Sequence, residues 1–282
     1  MYKRQLFYGF THLPEREHIL SIHPEYQPFL EKSEQGDDYI KDYMLSQKPE
    51  VQKLYKKELN QEMSLDEIKI PVLKIGKNLT FWFFENYVVD DKSKIPSSYE
   101  MYHYPILYAG FLALFFTFLN LLPIGQLDGG HILYGLIGFK RHKIASIVIF
   151  TAFVGYAGLG LELHDWISPY SGNHTSLFIN CLLYVGFLYF MYARFVEEKS
   201  TAIVFALAIT AFHLGMFLYF PMIKGYNGWL FFAFILSRVI GIYHPQAFDE
   251  SPLDLKRKVL GWFALFIFII SFTPKPFDLI SL

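Results

Sequence analysis

The chain has 282 residues, with 25 Lys and Arg against 26 Asp and Glu, for a formal net charge of −1. That balance removes the electrostatic case for nucleic acid, whose binders carry a basic excess on one face. A single cysteine, Cys181, excludes an intrachain disulfide and a cysteine zinc cluster.

The charges are unevenly placed. Residues 1–103 hold 14 basic and 17 acidic side chains, leaving 11 and 9 for the rest of the chain. Hydrophobic residues make up 53% of the whole, so the later part carries uncharged runs too long for the two-faced pattern of a soluble core helix. The chain therefore reads as an all-α polytopic membrane protein with five or six transmembrane helices. A polar, mixed extramembrane N-terminal region precedes them.

In chain order, residues 1–10 (MYKRQLFYGF) open with two charges, and their apolar part is too short for a secretory signal. They read as the end of a membrane helix. Residues 11–103 form the extramembrane region. Within it, Glu50–Glu62 predicts a helix, and the run from Ser64 to Glu67 resembles a capping box. Asn78–Val89 gathers aromatic residues at no clean period, which suits either burial in an extramembrane layer or a segment at the membrane interface.

Residues 104–282 read as the transmembrane domain. A crossing helix needs about 20 mostly apolar residues. Uncharged runs at Met101–Leu127, Ala145–Leu161, Trp166–Ala193 and Ser200–Ile223 supply four spans, and Gly225–Ser237 and Val259–Pro274 are marginal in length. Arg238, at the end of the fifth run, is expected to snorkel to the interface or to pair inside the bundle. Cys181 reads as a small hydrophobe within a span. Basic residues mark alternate connections: Lys140, Arg141 and Lys143, then Arg194 and Lys199, then Lys256, Arg257 and Lys258. The excess of basic residues in cytoplasmic loops makes the first span run from outside to inside, with residues before Tyr104 on the external face.

The informative segment is residues 120–131 (NLLPIGQLDGGH). Pro123 removes a backbone donor and breaks the helical ladder. Asp128 then places a carboxylate at or just within the membrane, where an ionisable group is costly and points to function. Gly129 and Gly130 let the backbone approach another element or a ligand closely. Asn120 offers an amide to a substrate backbone or to a carbonyl freed by Pro123. The competing bland reading is a proline-kinked helix ending in an Asp-Gly turn.

The whole string, N-x-x-P-x-x-x-L-D-G on a membrane helix, resembles the site-2 protease family of intramembrane zinc metallopeptidases, in the version of its bacterial and plastid branch. Residues 11–26 and 251–276 also look like segments of that branch. The resemblance implies a multi-pass protein of a bacterial inner membrane that hydrolyses peptide bonds of membrane-embedded protein substrates. It implies a zinc cofactor with Asp128 as third ligand, Asn120 with Pro123 holding substrate near the metal, and Leu127 and Gly129 as motif positions.

The family's other signature, H-E-x-x-H, puts two His on one helical face to bind zinc and supplies a Glu as general base. None of the ten histidines begins such a motif; His12, His18 and His23 stand six and five apart, and neither interval aligns two side chains on one helical face. His131, three residues after Asp128, and His213, mid-span, are substitutes with blander readings, an interfacial histidine and an interhelical hydrogen bond. Glu162 is the one glutamate near the apolar runs after Asp128 to try as a base. The expectation is the C-terminal portion of such a protease, its other zinc ligands supplied by a missing N-terminal part. The chain alone would then be inactive and would bind zinc weakly or not at all, because a lone carboxylate falls short of three protein ligands. The alternative is a non-catalytic binding protein or pseudoprotease of the same fold. A transporter finds support only in the interrupted span at Pro123, with no matching second one.

Overall fold

The computed structural model describes residues 2–31, 38–59, 64–161, 174–247 and 251–282. Glu162 and the end of the helix expected over Glu50–Glu62 lie outside the described residues. The described chain is mostly helical, as the apolar runs predict, and it forms two compact units.

The first unit takes Met1–Thr117 together with Ile270–Leu282. Helix α1 (Tyr2–Thr11) sends Leu6 and Phe10 into a core shared with Phe81, Met101, Leu107 and Phe111. After short helical turns come α2 (Asp38–Leu59), strand β1 (Pro71–Ile75) and α3 (Leu79–Tyr87). Strand β2 (Phe277–Ser281) pairs antiparallel with β1, Pro71 opposite Ser281 and Ile75 opposite Phe277. The chain's last residues thus complete its first unit. A second core cluster, with Ile19, Tyr26, Ile40, Val72 and Tyr99, lies in the same unit, and Ile280 and Leu282 pack against it.

Two local predictions meet the structure here. Ser64 N–H donates to the Glu67 carboxylate at 2.8 Å, which is half of a capping box, yet only a turn follows it. The aromatic segment forms α3 because the Asn78 side chain accepts from Phe81 N–H at 2.9 Å and caps the helix. Phe81 is buried, whereas Leu79, Trp82, Phe83 and Tyr87 are exposed, so one face packs and the other is left apolar and open.

Helix α4 (Pro105–Leu121) contributes to the first unit as far as Thr117. The second unit, Phe118–Ile269, continues through α5 (Asp128–Ile137), α6 (Phe139–Gly158), α7 (His174–Tyr192), α8 (Lys199–Tyr219), α9 (Gly228–Ile235) and α10 (Leu255–Ser271), whose last residues belong to the first unit. Each uncharged run contains a helix, but proline and glycine end the helices sooner than the runs. Pro105 opens α4 and Pro123 follows its end, so the run from Met101 to Leu127 yields 17 helical residues, about 26 Å at 1.5 Å each. Among the described residues α8 is the one helix long and apolar enough to cross a bilayer; α4, Phe178–Tyr192 and Gly228–Ile240 are apolar and shorter.

Aromatic contacts and a few polar bonds hold the second unit. Trp229 on α9 meets Phe118 and Phe153 at 5.5 and 5.4 Å between ring centres. Tyr192 on α7 stacks on Phe205 of α8 and donates from its hydroxyl to Thr151 on α6. Arg238 lies on the π-helical continuation of α9, and its guanidinium carbon sits 3.3 Å from the centre of the Phe190 ring. The cation is thus held over an aromatic face inside the unit.

Candidate functional site

The motif segment does not end in an Asp-Gly turn. Helix α4 stops at Leu121, and residues 122–127 make a tight break in which Ile124 N–H reaches back to Leu122 O at 2.8 Å. A new helix, α5, then starts at Asp128 itself. The local cause is Pro123, which cannot extend the ladder, followed by Gly125 at φ +60, a left-handed conformation that favours glycine.

The glycines explain why the break is so tight. A Cβ on Gly129 would lie 1.9 Å from Leu121 O, and one on Gly130 would lie 2.3 Å from Gly125 O. The first turn of α5 is therefore pressed against the end of α4 and the break between them, backbone on backbone. Pro123 and Ile124 are buried in the break, whereas Asn120 and Asp128 are exposed. Asp128 sits in the first turn of α5, where the positive end of the helix dipole favours a carboxylate. The motif thus builds a rigid support that offers one amide and one carboxylate to the outside.

The substitute ligands go elsewhere. His131 faces His244, ring centres 4.5 Å apart, with its Nδ1 in contact with His244 Nε2. His244 packs against Tyr134 at 4.5 Å and lies 6.2 Å from His142. His213 uses both ring nitrogens between helices: Nε2 meets Gly155 O at 2.9 Å, and Nδ1 meets the Tyr184 hydroxyl at 3.0 Å. Because a carbonyl only accepts, Nε2 must carry the proton and Nδ1 must accept from Tyr184. That is the interhelical use the bland reading assigns to it.

Residues 84–161 match the profile of peptidase family M50, a stretch that includes all of N-x-x-P-x-x-x-L-D-G. This segment is similar to peptidase family M50. The match covers well under half of the chain, and it supports a membrane metalloprotease kind of function of the site-2 type. No curated protein and no solved structure matches the chain.

M50 peptidases depend on zinc. The residues at Asp128 do not fit that ion by themselves, because no group of three ligand side chains among the described residues includes Asp128. One such group does exist, His23, Glu100 and His103, all within the first unit. Spacing along the sequence missed it, since His23 and Glu100 are far apart in the chain. The signal that was available is the i, i+3 pair Glu100 and His103, which shares one face of a short turn.

Proposed function

We propose that this chain is the C-terminal portion of a site-2-type intramembrane zinc metalloprotease that cleaves membrane-embedded protein substrates. The observation that carries the reading is Asp128. It is an exposed carboxylate on the first turn of α5, held by glycine-packed backbone within the M50 stretch. In this reading Asp128 is the third zinc ligand, and an H-E-x-x-H helix outside the chain brings the other two and the general base. Asn120 would engage the substrate backbone beside the break at Pro123. Large apolar side chains left outward on the helices support a bilayer setting: Phe178 is 70% exposed, Leu183 67%, Val204 63% and Val239 75%.

The multi-pass arrangement keeps Asp128 near the cytoplasmic side, ahead of Lys140, Arg141 and Lys143. A reporter fused after Lys143 is expected to read cytoplasmic; an external reading overturns the topology and the inner-membrane assignment. The activity is tested by co-expressing the chain with an H-E-x-x-H membrane helix and a tagged substrate helix. Cleavage is expected with the native chain and is expected to vanish with Asp128→Ala. Cleavage unchanged by Asp128→Ala refutes the assigned role. No cleavage at all favours the second reading, a non-catalytic binding protein of the same fold.

A further inference from the structure

The first unit contains three ligand atoms drawn together without an evident reason. His23 Nε2 lies 3.1 Å from His103 Nε2, and Glu100 Oε2 lies 3.1 Å from His103 Nε2 and 4.0 Å from His23 Nε2. Glu100 is only 2% exposed. Its Oε1 accepts from the Tyr26 hydroxyl at 2.9 Å, and Oε2 makes no hydrogen bond. The Tyr102 hydroxyl also acts on this carboxylate. A buried carboxylate oxygen that makes no hydrogen bond is costly, and three ligand atoms this close together need either a shared imidazole proton or a cation among them.

The surroundings are arranged as a second layer. His23 Nδ1 is 3.0 Å from Glu25 Oε1, which fixes the proton on Nδ1 and turns the Nε2 lone pair toward the other two atoms. The His23 ring also stacks on Tyr26, 4.7 Å between centres. His103 ends the short turn Met101–His103, its backbone N–H bonded to Glu100 O at 2.9 Å, so the two ligand-bearing residues are locked in register. His103 also lines a pocket with His12, Pro14 and His18, which gives the cluster an approach from outside.

We propose that His23 Nε2, Glu100 Oε2 and His103 Nε2 bind one divalent cation of the zinc class, in a site independent of Asp128. Bonds of about 2.0 Å in a tetrahedron place neighbouring ligand atoms about 3.3 Å apart, so two of the three edges already fit and the third shortens by a small rotation of His23. Two imidazoles with one carboxylate select zinc over magnesium or calcium, which prefer oxygen alone. The set leaves a fourth position open for water or another ligand. Zinc bound here would run against the expectation that the chain alone holds zinc weakly or not at all.

The test uses the full chain, purified in detergent, stripped with a chelator and titrated with Zn2+ and with Co2+ as a spectroscopic probe. About one zinc per chain is expected, with a cobalt absorption band of tetrahedral intensity. His23→Ala and Glu100→Gln should each abolish stoichiometric binding. Tyr26→Phe and Glu25→Gln, which leave the three ligands in place, should weaken binding by about 10-fold to 100-fold. Asp128→Ala should leave the zinc content unchanged. Circular dichroism and gel filtration report whether each variant is folded, and the Tyr26 and Glu25 variants keep the test decisive if a ligand variant is not. Absence of zinc from the native chain overturns the proposal. So does zinc that persists in His23→Ala, or zinc lost in Asp128→Ala.

Discussion

Gly129→Ala probes the support beneath the motif carboxylate. The new Cβ would stand 1.9 Å from Leu121 O, 2.2 Å from Leu121 C and 2.8 Å from Leu122 C, where ordinary contact begins at 3.4 Å. The neighbours are backbone atoms with no rotamer to yield, so the start of α5 and the end of α4 must part by about 1.5 Å. Overpacking of this kind costs about 1–3 kcal/mol, and a backbone-on-backbone clash lies at the upper end. About 3 kcal/mol corresponds to a fall of about 6–12 °C in the melting temperature of a chain of this size. Gly186→Ala is the control: it sits within α7 with no atom inside 4 Å of its Cβ position, and it should gain up to about 1 kcal/mol of helix propensity. Thermal unfolding in detergent, followed by fluorescence including that of buried Trp229, compares the two. If Gly129→Ala melts within about 2 °C of the native chain, the tight break described here is wrong.

Three further outcomes follow from other parts of the structure. His213→Phe removes the bonds to the Tyr184 hydroxyl and Gly155 O, at a cost of about 1–3 kcal/mol, and adding Tyr184→Phe should recover part of it; strict additivity in the double-mutant cycle would contradict the shared hydrogen bond. Asn78→Ala removes the cap on α3 and the 3.3 Å bond from Asn78 Nδ2 to Thr273 Oγ1, which should cost about 1–2 kcal/mol; an unchanged unfolding curve would count against the cap. Burial raises the Glu100 carboxyl above its ordinary 4.5, so the metal-free folded state holds that proton more tightly than the unfolded one. Stability from this group is full below pH 4.5 and is lost as pH rises through the higher folded value. With chelator present, Glu100→Gln should remove that loss, and identical pH dependence in the two proteins would refute it.

The apolar runs located the described helices of the second unit apart from α5, because a long uncharged stretch leaves few other structures open. The motif string marked its own site for the same kind of reason: proline and paired glycines have narrow conformational uses. What spacing did not reveal was how these residues act. Gly129 reads in sequence as a point of close backbone approach, and the structure supplies the partner that spacing could not name, Leu121 O at the end of α4. Asp128 reads as the end of an element and proves to be the beginning of one, since the break at Pro123 is short enough for a new helix to restart on its far side. The pairing of β1 with β2 was equally hidden, because antiparallel register is decided by partners about 200 positions away and by packing in the first unit's core. His23 and Glu100 show the limit most clearly. Local periodicity can align side chains on one helical face, but only the folded first unit, with Tyr26 buried between them in sequence and beside them in space, brings a histidine and a distant carboxylate within 4.0 Å.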